Sequence, residues 1–120
     1  MFPDQLNNEL QAHFNSEQFR LKTQRQIAKD FEVHGFSFEP FFCEQVIETP
    51  NLTEQVTEAL MYIVEKKSSS WQALLYTIDI PEKKYMQYAT SQDGNWMHQF
   101  AWEIIRREAQ KVFFREKFSK

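Results

Sequence analysis

Residues 51–64 read Asn-Leu-Thr-Glu-Gln-Val-Thr-Glu-Ala-Leu-Met-Tyr-Ile-Val, with apolar side chains at Leu52, Val56, Ala59, Leu60, Ile63 and Val64. These six positions follow the 3.6-residue period and share one face of an amphipathic helix. Asn51 followed three residues later by Glu54 resembles a capping box, which predicts a helix start there with Pro50 closing the preceding segment. Lys66 and Lys67 suit the negative end of the helix dipole.

Downstream, Ser68 to Ser70 are expected to cap a short, almost wholly apolar helix, Trp71 to Ile78, that crosses the core. Asp79, Pro81 and Glu82 read as the next N-terminus, of a helix running to about Tyr88. Thr90 to Asn95 reads as a loop, and Asp93 or Asn95 opens the last helix. Met97, Phe100, Ala101, Ile104, Ile105 and Val112 form the apolar stripe of that helix, with Phe113, Phe114 and Phe118 extending past it.

Upstream, Phe2, Leu6, Leu10 and Phe14 stand four apart, with Pro3 and Asp4 in the first turn. Asn15 and Ser16 read as a break with a fresh N-cap, after which Phe19, Ile27, Ala28 and Phe31 lead to Gly35. One helix or two over residues 3–33 stays open. Phe36-Ser37-Phe38-Glu39 alternates as a strand does, and Pro40 breaks any helical period, so a small extended element or aromatic loop is expected near 36–42. The expected fold is a single all-α domain over 1–120, an irregular bundle of five or six short helices.

Composition narrows the function classes. The chain of 120 residues has 2 Gly, too few for Gly-rich phosphate loops, and 1 Cys, which excludes an intrachain disulfide framework. No charged-then-apolar leader opens the chain and no apolar run approaches the ~20 residues of a membrane helix, so the sequence reads as soluble and cytoplasmic, with no membrane partner.

The net charge of -3 conceals two blocks of opposite sign. Asp30, Glu32, Glu39, Glu44, Glu48, Glu54, Glu58 and Glu65 stand without one Lys or Arg between residues 30 and 65, a block of -8. From Arg106 onward, six bases face Glu108 and Glu116, leaving +4 before the terminal carboxylate. Such segregation is satisfied within one molecule, between two copies, or by a charged partner.

Candidate chemistry is sparse. His13, His34 and His98 lie far apart, and Cys43 with Glu44 lacks metal-ligand spacing, so neither metal nor other cofactor is expected. Cys43 stands next to Glu44, and a neighbouring acid raises a thiol pKa, which disfavours a nucleophile. No catalytic residue is assigned. The candidate interaction surface is the last helix, where Trp102 and Phe114 accompany Arg106, Arg107, Lys111 and Arg115. Bases beside aromatics hold a nucleic-acid backbone and stack its bases. The overall pI of about 5.6 argues against that use. Arg20, Lys22, Arg25 and Lys29 form a second basic strip. Nineteen aromatics, 12 of them Phe, imply either an aromatic-rich core or an exposed contact patch.

Two stretches, Leu74-Leu75-Tyr76-Thr77-Ile78-Asp79-Ile80-Pro81-Glu82-Lys83 and Ile105-Arg106-Arg107-Glu108 with Gln110-Lys111-Val112 and Arg115 to Ser119, cover about a quarter of the chain. They resemble a group of short uncharacterised bacterial proteins with an LLYxIDIxEK turn and a RExQKVxxRxKFS ending. The resemblance implies a small cytosolic helical protein and carries no activity or catalytic residue. The expected function is non-enzymatic, through contacts with an unidentified protein or with itself. The alternative is a nucleic-acid-associated protein using the basic C-terminal helix.

Overall fold

In the computed structural model, Ala12 and residues 16–118 are described. They form α1 (Glu17–Val33), α2 (Thr49–Lys66), α3 (Trp71–Ile78), α4 (Glu82–Ala89) and α5 (Trp96–Phe118), with 3-10 turns at Pro40–Cys43 and Ser68–Ser70 and no strand among the described residues. The all-α reading holds. The stripe Phe2, Leu6, Leu10 and Phe14 lies outside the described residues, as does His13. Ser16 has extended dihedrals and its Oγ accepts from the Phe19 N–H, so α1 starts afresh there.

The longest helix, α5, packs on both α1 and α2. Lys22 meets Glu116 and Asp30 meets Lys111, so α1 and α5 run antiparallel. Ile27 and Phe31 of α1, Leu52, Val56, Leu60 and Ile63 of α2, and Phe100, Ile104 and Ile105 of α5 form the main core, closed by Leu74 and Ile78 of α3. Phe19, Ala109, Val112 and Phe113 make a smaller cluster at the far end of the α1–α5 pair.

Several local starts and stops differ from the sequence expectations for identifiable reasons. Helix α2 begins at Thr49 with Pro50 in its first turn, so Pro50 opens that helix; a missing N–H costs nothing there. Asp79 does not cap α4. It ends α3 in the left-handed region at φ 69°, where its N–H reaches the Tyr76 carbonyl and the Ile80 N–H reaches that of Leu75. That is the Schellman arrangement, usually given to glycine. Gly35, at φ 100°, fills the same place after α1. The short α3 is buried only through Leu74, Leu75 and Ile78, and Tyr76 is 88% exposed.

Residues 36–39 form no strand, and the chain just beyond them, 42–47, is tied to α1 by side-chain bonds to its backbone groups. Gln24, fully buried, donates through Nε2 to the carbonyls of Phe42 and Gln45, both at 2.8 Å, and its Oε1 accepts from the Ile47 N–H. Arg20 and Arg25 add bonds to the carbonyls of Ile47 and Cys43. One glutamine thus supplies what a neighbouring strand would otherwise provide.

Candidate interaction surfaces and a buried acid cluster

The six residues singled out on the last helix do not share one face. Trp102, 37% exposed, borders an open cleft of about 470 Å3 with Tyr88, Asn95, His98 and Gln99. Arg106 and Arg107 both turn to Glu103, at 3.6 Å and 3.1 Å. Phe114 stacks on Phe118 and meets Phe113 edge-on. Lys111 points inward, its Nζ 2.7 Å from Asp30 Oδ2 and 3.0 Å from the Thr77 carbonyl. Arg115 faces a different cleft, of about 400 Å3, shared with Lys22, Arg25 and Lys29 of α1. The second basic strip and the C-terminal one therefore meet across the α1–α5 seam.

Charge segregation is resolved mainly within α5 itself. Of the acids between residues 30 and 65, Asp30 is the one the structure pairs with a base of the last helix; the other seven are exposed. Arg106 and Arg107 are held instead by Glu103, which is 6% exposed and also accepts from the Tyr88 hydroxyl. Burial, then the Glu103 charge and hydrogen bond, raises the Tyr88 hydroxyl above its usual value, so it stays a donor.

Sequence reasoning missed the cluster formed by Asp30, Glu108 and Lys111. Glu108 is fully buried and neither of its oxygens accepts a hydrogen bond; Lys111 Nζ stands 3.5 Å from Oε1. Burial, followed by the hydrogen bond and the charge of Asp30, pushes the Glu108 carboxyl well above its usual value, and Lys111 offsets this only in part. The Asp30 oxygens accept from Gln26 Nε2 and Lys111 Nζ. Burial would lower the Lys111 amine, but its bond to Asp30 and the charges of Glu108 and Asp30 leave it raised. The signal was present: Glu108 falls in the stripe Ala101, Ile104, Ile105, Ala109, Val112, and Asp30 falls in the stripe of Thr23, Ile27 and Phe31.

A different surface collects exposed aromatics. Phe36 meets Phe38 at 4.9 Å and Tyr62 of α2 at 5.4 Å, and Phe38 stacks on buried Phe42 at 4.0 Å. Phe41, Met61 and Tyr62 are each more than 40% exposed, and Phe36 and Phe38 are half-buried. Exposed acids stand along the same stretch of chain: Glu32, Glu39 and Glu44 in or beside the loop, Glu58 and Glu65 on α2 within a turn of Tyr62. Half of the described phenylalanines, Phe19, Phe31, Phe42, Phe100 and Phe113, are nevertheless buried, so the aromatic surplus is divided between core and surface.

Among the described residues no group of three His, Cys, Asp or Glu side chains stands where it could hold a metal ion. The His34 Nε2 lies 2.7 Å from the Thr77 hydroxyl, and Cys43 is a free, half-buried thiol. No helix of the described residues is long and apolar enough to cross a membrane. Compared with known proteins, the chain matches no family model, no curated protein and no solved structure.

Proposed function

We propose that this chain is a small cytosolic, non-enzymatic protein that works through protein contacts, made by the aromatic surface of residues 36–42 and Tyr62 to another protein or to a second copy. The observation that carries this reading is the partial exposure of Phe36, Phe38 and Tyr62, whose rings meet, with exposed Phe41 and Met61 near them in the chain. Aromatic and methionine side chains are the types that anchor interfaces, and the acids around them form a polar rim. That rim favours a partner with basic residues around an apolar centre, since rim charges set register and encounter rate.

Nucleic acid on the last helix is the weaker reading, because Arg106, Arg107 and Lys111 already have carboxylates against them. Phosphate contacts there would have to displace Glu103 and Asp30.

Affinity capture from the native cell, run in parallel with the wild type and a Phe41→Arg/Met61→Arg variant, tests the proposal. Both positions are exposed, so the variant should melt as the wild type does. A protein, or the chain itself, retained by the wild type and lost with the variant is the expected result. Light scattering over a concentration series separates the self-association arm. Identical captures with two monomeric proteins would refute the assignment to this surface.

A further inference from the structure

The cleft between α1 and α5 carries a second, independent inference. Lys22, Arg25 and Lys29 recur at i, i+3 and i+7 on one face of α1, and antiparallel α5 brings Arg115 and Glu116 opposite them, with Gln26 and Val112 completing the lining. Among the described residues, four cations and one carboxylate contribute +3 to a cleft of about 400 Å3, within the size range of small-molecule sites. Lys22 is paired with Glu116, so the charge offered outward comes from the other three.

Those three are arranged rather than merely present. The Arg25 Nε donates to the Cys43 carbonyl at 2.9 Å, which fixes the guanidinium and leaves its terminal nitrogens to donate elsewhere. Neither Lys29 nor Arg115 has an ion-pair partner among the described residues. Cations sharing a cleft without counter-charge repel one another, and a bound anion relieves that repulsion. A guanidinium from each of two helices presents planar forks suited to a tetrahedral oxyanion, and prior anchoring of Arg25 reduces the ordering cost of binding.

We propose that this cleft binds a compact phosphate-bearing anion, held by Arg25, Lys29 and Arg115. The ligand is recognised by its phosphates: the described residues that line the cleft offer cations and an amide group, and no aromatic among them to stack a base. A chain of two or three phosphates, free or carried by a nucleotide, has the charge to meet all three cations.

Isothermal titration of the full chain at constant ionic strength tests this, with tripolyphosphate, ATP and sulfate as probes. Tripolyphosphate should bind at least tenfold more tightly than sulfate, and Lys29→Gln/Arg115→Gln should weaken it by a further factor of ten or more. Both replaced side chains are exposed, so an unchanged melting temperature will show that the variant is folded. Lys83→Gln, on exposed α4, should leave binding intact. Equal affinity for tripolyphosphate and ATP shows that the phosphates alone are read, tighter binding of tripolyphosphate assigns a free phosphate chain, and a clear preference for ATP would overturn recognition through phosphates alone. Binding no tighter than sulfate, or unaltered in the double variant, would overturn the proposal. So would capture of an RNA oligonucleotide that depends on Lys29 and Arg115 while tripolyphosphate fails to compete.

Discussion

Replacing Glu108 by Gln keeps the shape of a fully buried side chain and removes its ability to ionise, which isolates the buried acid cluster from everything else that titrates. The carboxyl of the folded protein lies well above its ordinary value of 4.5, first because it is buried and then because Asp30 stands against it. A group whose folded pKa is raised supplies its full stability below the unfolded pKa and loses it as pH rises through the folded one. The wild type should therefore lose about 1.4 kcal/mol per pH unit from this group, beginning near pH 4.5 and ending at the folded value. The variant loses nothing over that range, because an amide does not ionise. Urea melts of both proteins at unit steps from pH 4 to pH 9 give the difference directly. It should be small at pH 4 and grow in favour of Glu108→Gln, each unit corresponding to roughly 4–8 °C in Tm for a domain of this size. Parallel curves across the series would refute the reasoning, showing that Glu108 is ionised in the folded protein or not enclosed.

Truncating Leu60 or Ile104 to Ala, both fully buried in the main core, should cost about 2–5 kcal/mol each, read by chemical denaturation. Reversing the bases of α5 should separate into two classes. Arg106→Glu and Arg107→Glu lose partly exposed pairs with Glu103 and should cost about 1 kcal/mol or less apiece, more at low salt. Lys111→Glu would set a third carboxylate beside Asp30 and Glu108, and should cost about 3 kcal/mol or more by the same assay. Asp79→Gly relieves a left-handed position and should raise stability by up to about 1 kcal/mol, measured by thermal melting.

The helical fold was legible because Leu52 to Val64 and Met97 to Val112 carry unbroken stripes, and those faces do form the core. Helix ends were less legible because tertiary partners decide them. Pro50 has the same sequence signature whether it stops one segment or opens the next, and Asp79 capped nothing because the α3 turn needed a left-handed residue there. Of the two forms open for 36–42, an extended element or an aromatic loop, the structure has the loop, closed by the 3-10 turn Pro40–Cys43. The sequence leaves the choice open because the anchoring Gln24 lies 18 to 23 positions from the backbone groups it binds and resembles any surface glutamine. For the candidate surfaces, sequence identified the right bases but not their directions. Helical spacing separates Trp102 and Arg106 from Lys111 and Arg115, and the inward turn of Lys111 depends on Asp30, 81 positions away. Charge taken in blocks along the chain conceals the buried acids, whereas a Glu or Asp inside an apolar stripe, as Glu108 and Asp30 are, reveals them.

Photo-crosslinking in the native cell tests the central claim most directly. A light-activated residue is placed at Phe41, at Tyr62 or, on the exposed α4, at Lys83. The account predicts one discrete crosslinked species, a partner protein or a dimer of the chain, from positions 41 and 62 and none from position 83. Crosslinking absent at both aromatic positions, or equally strong from all three, would contradict it.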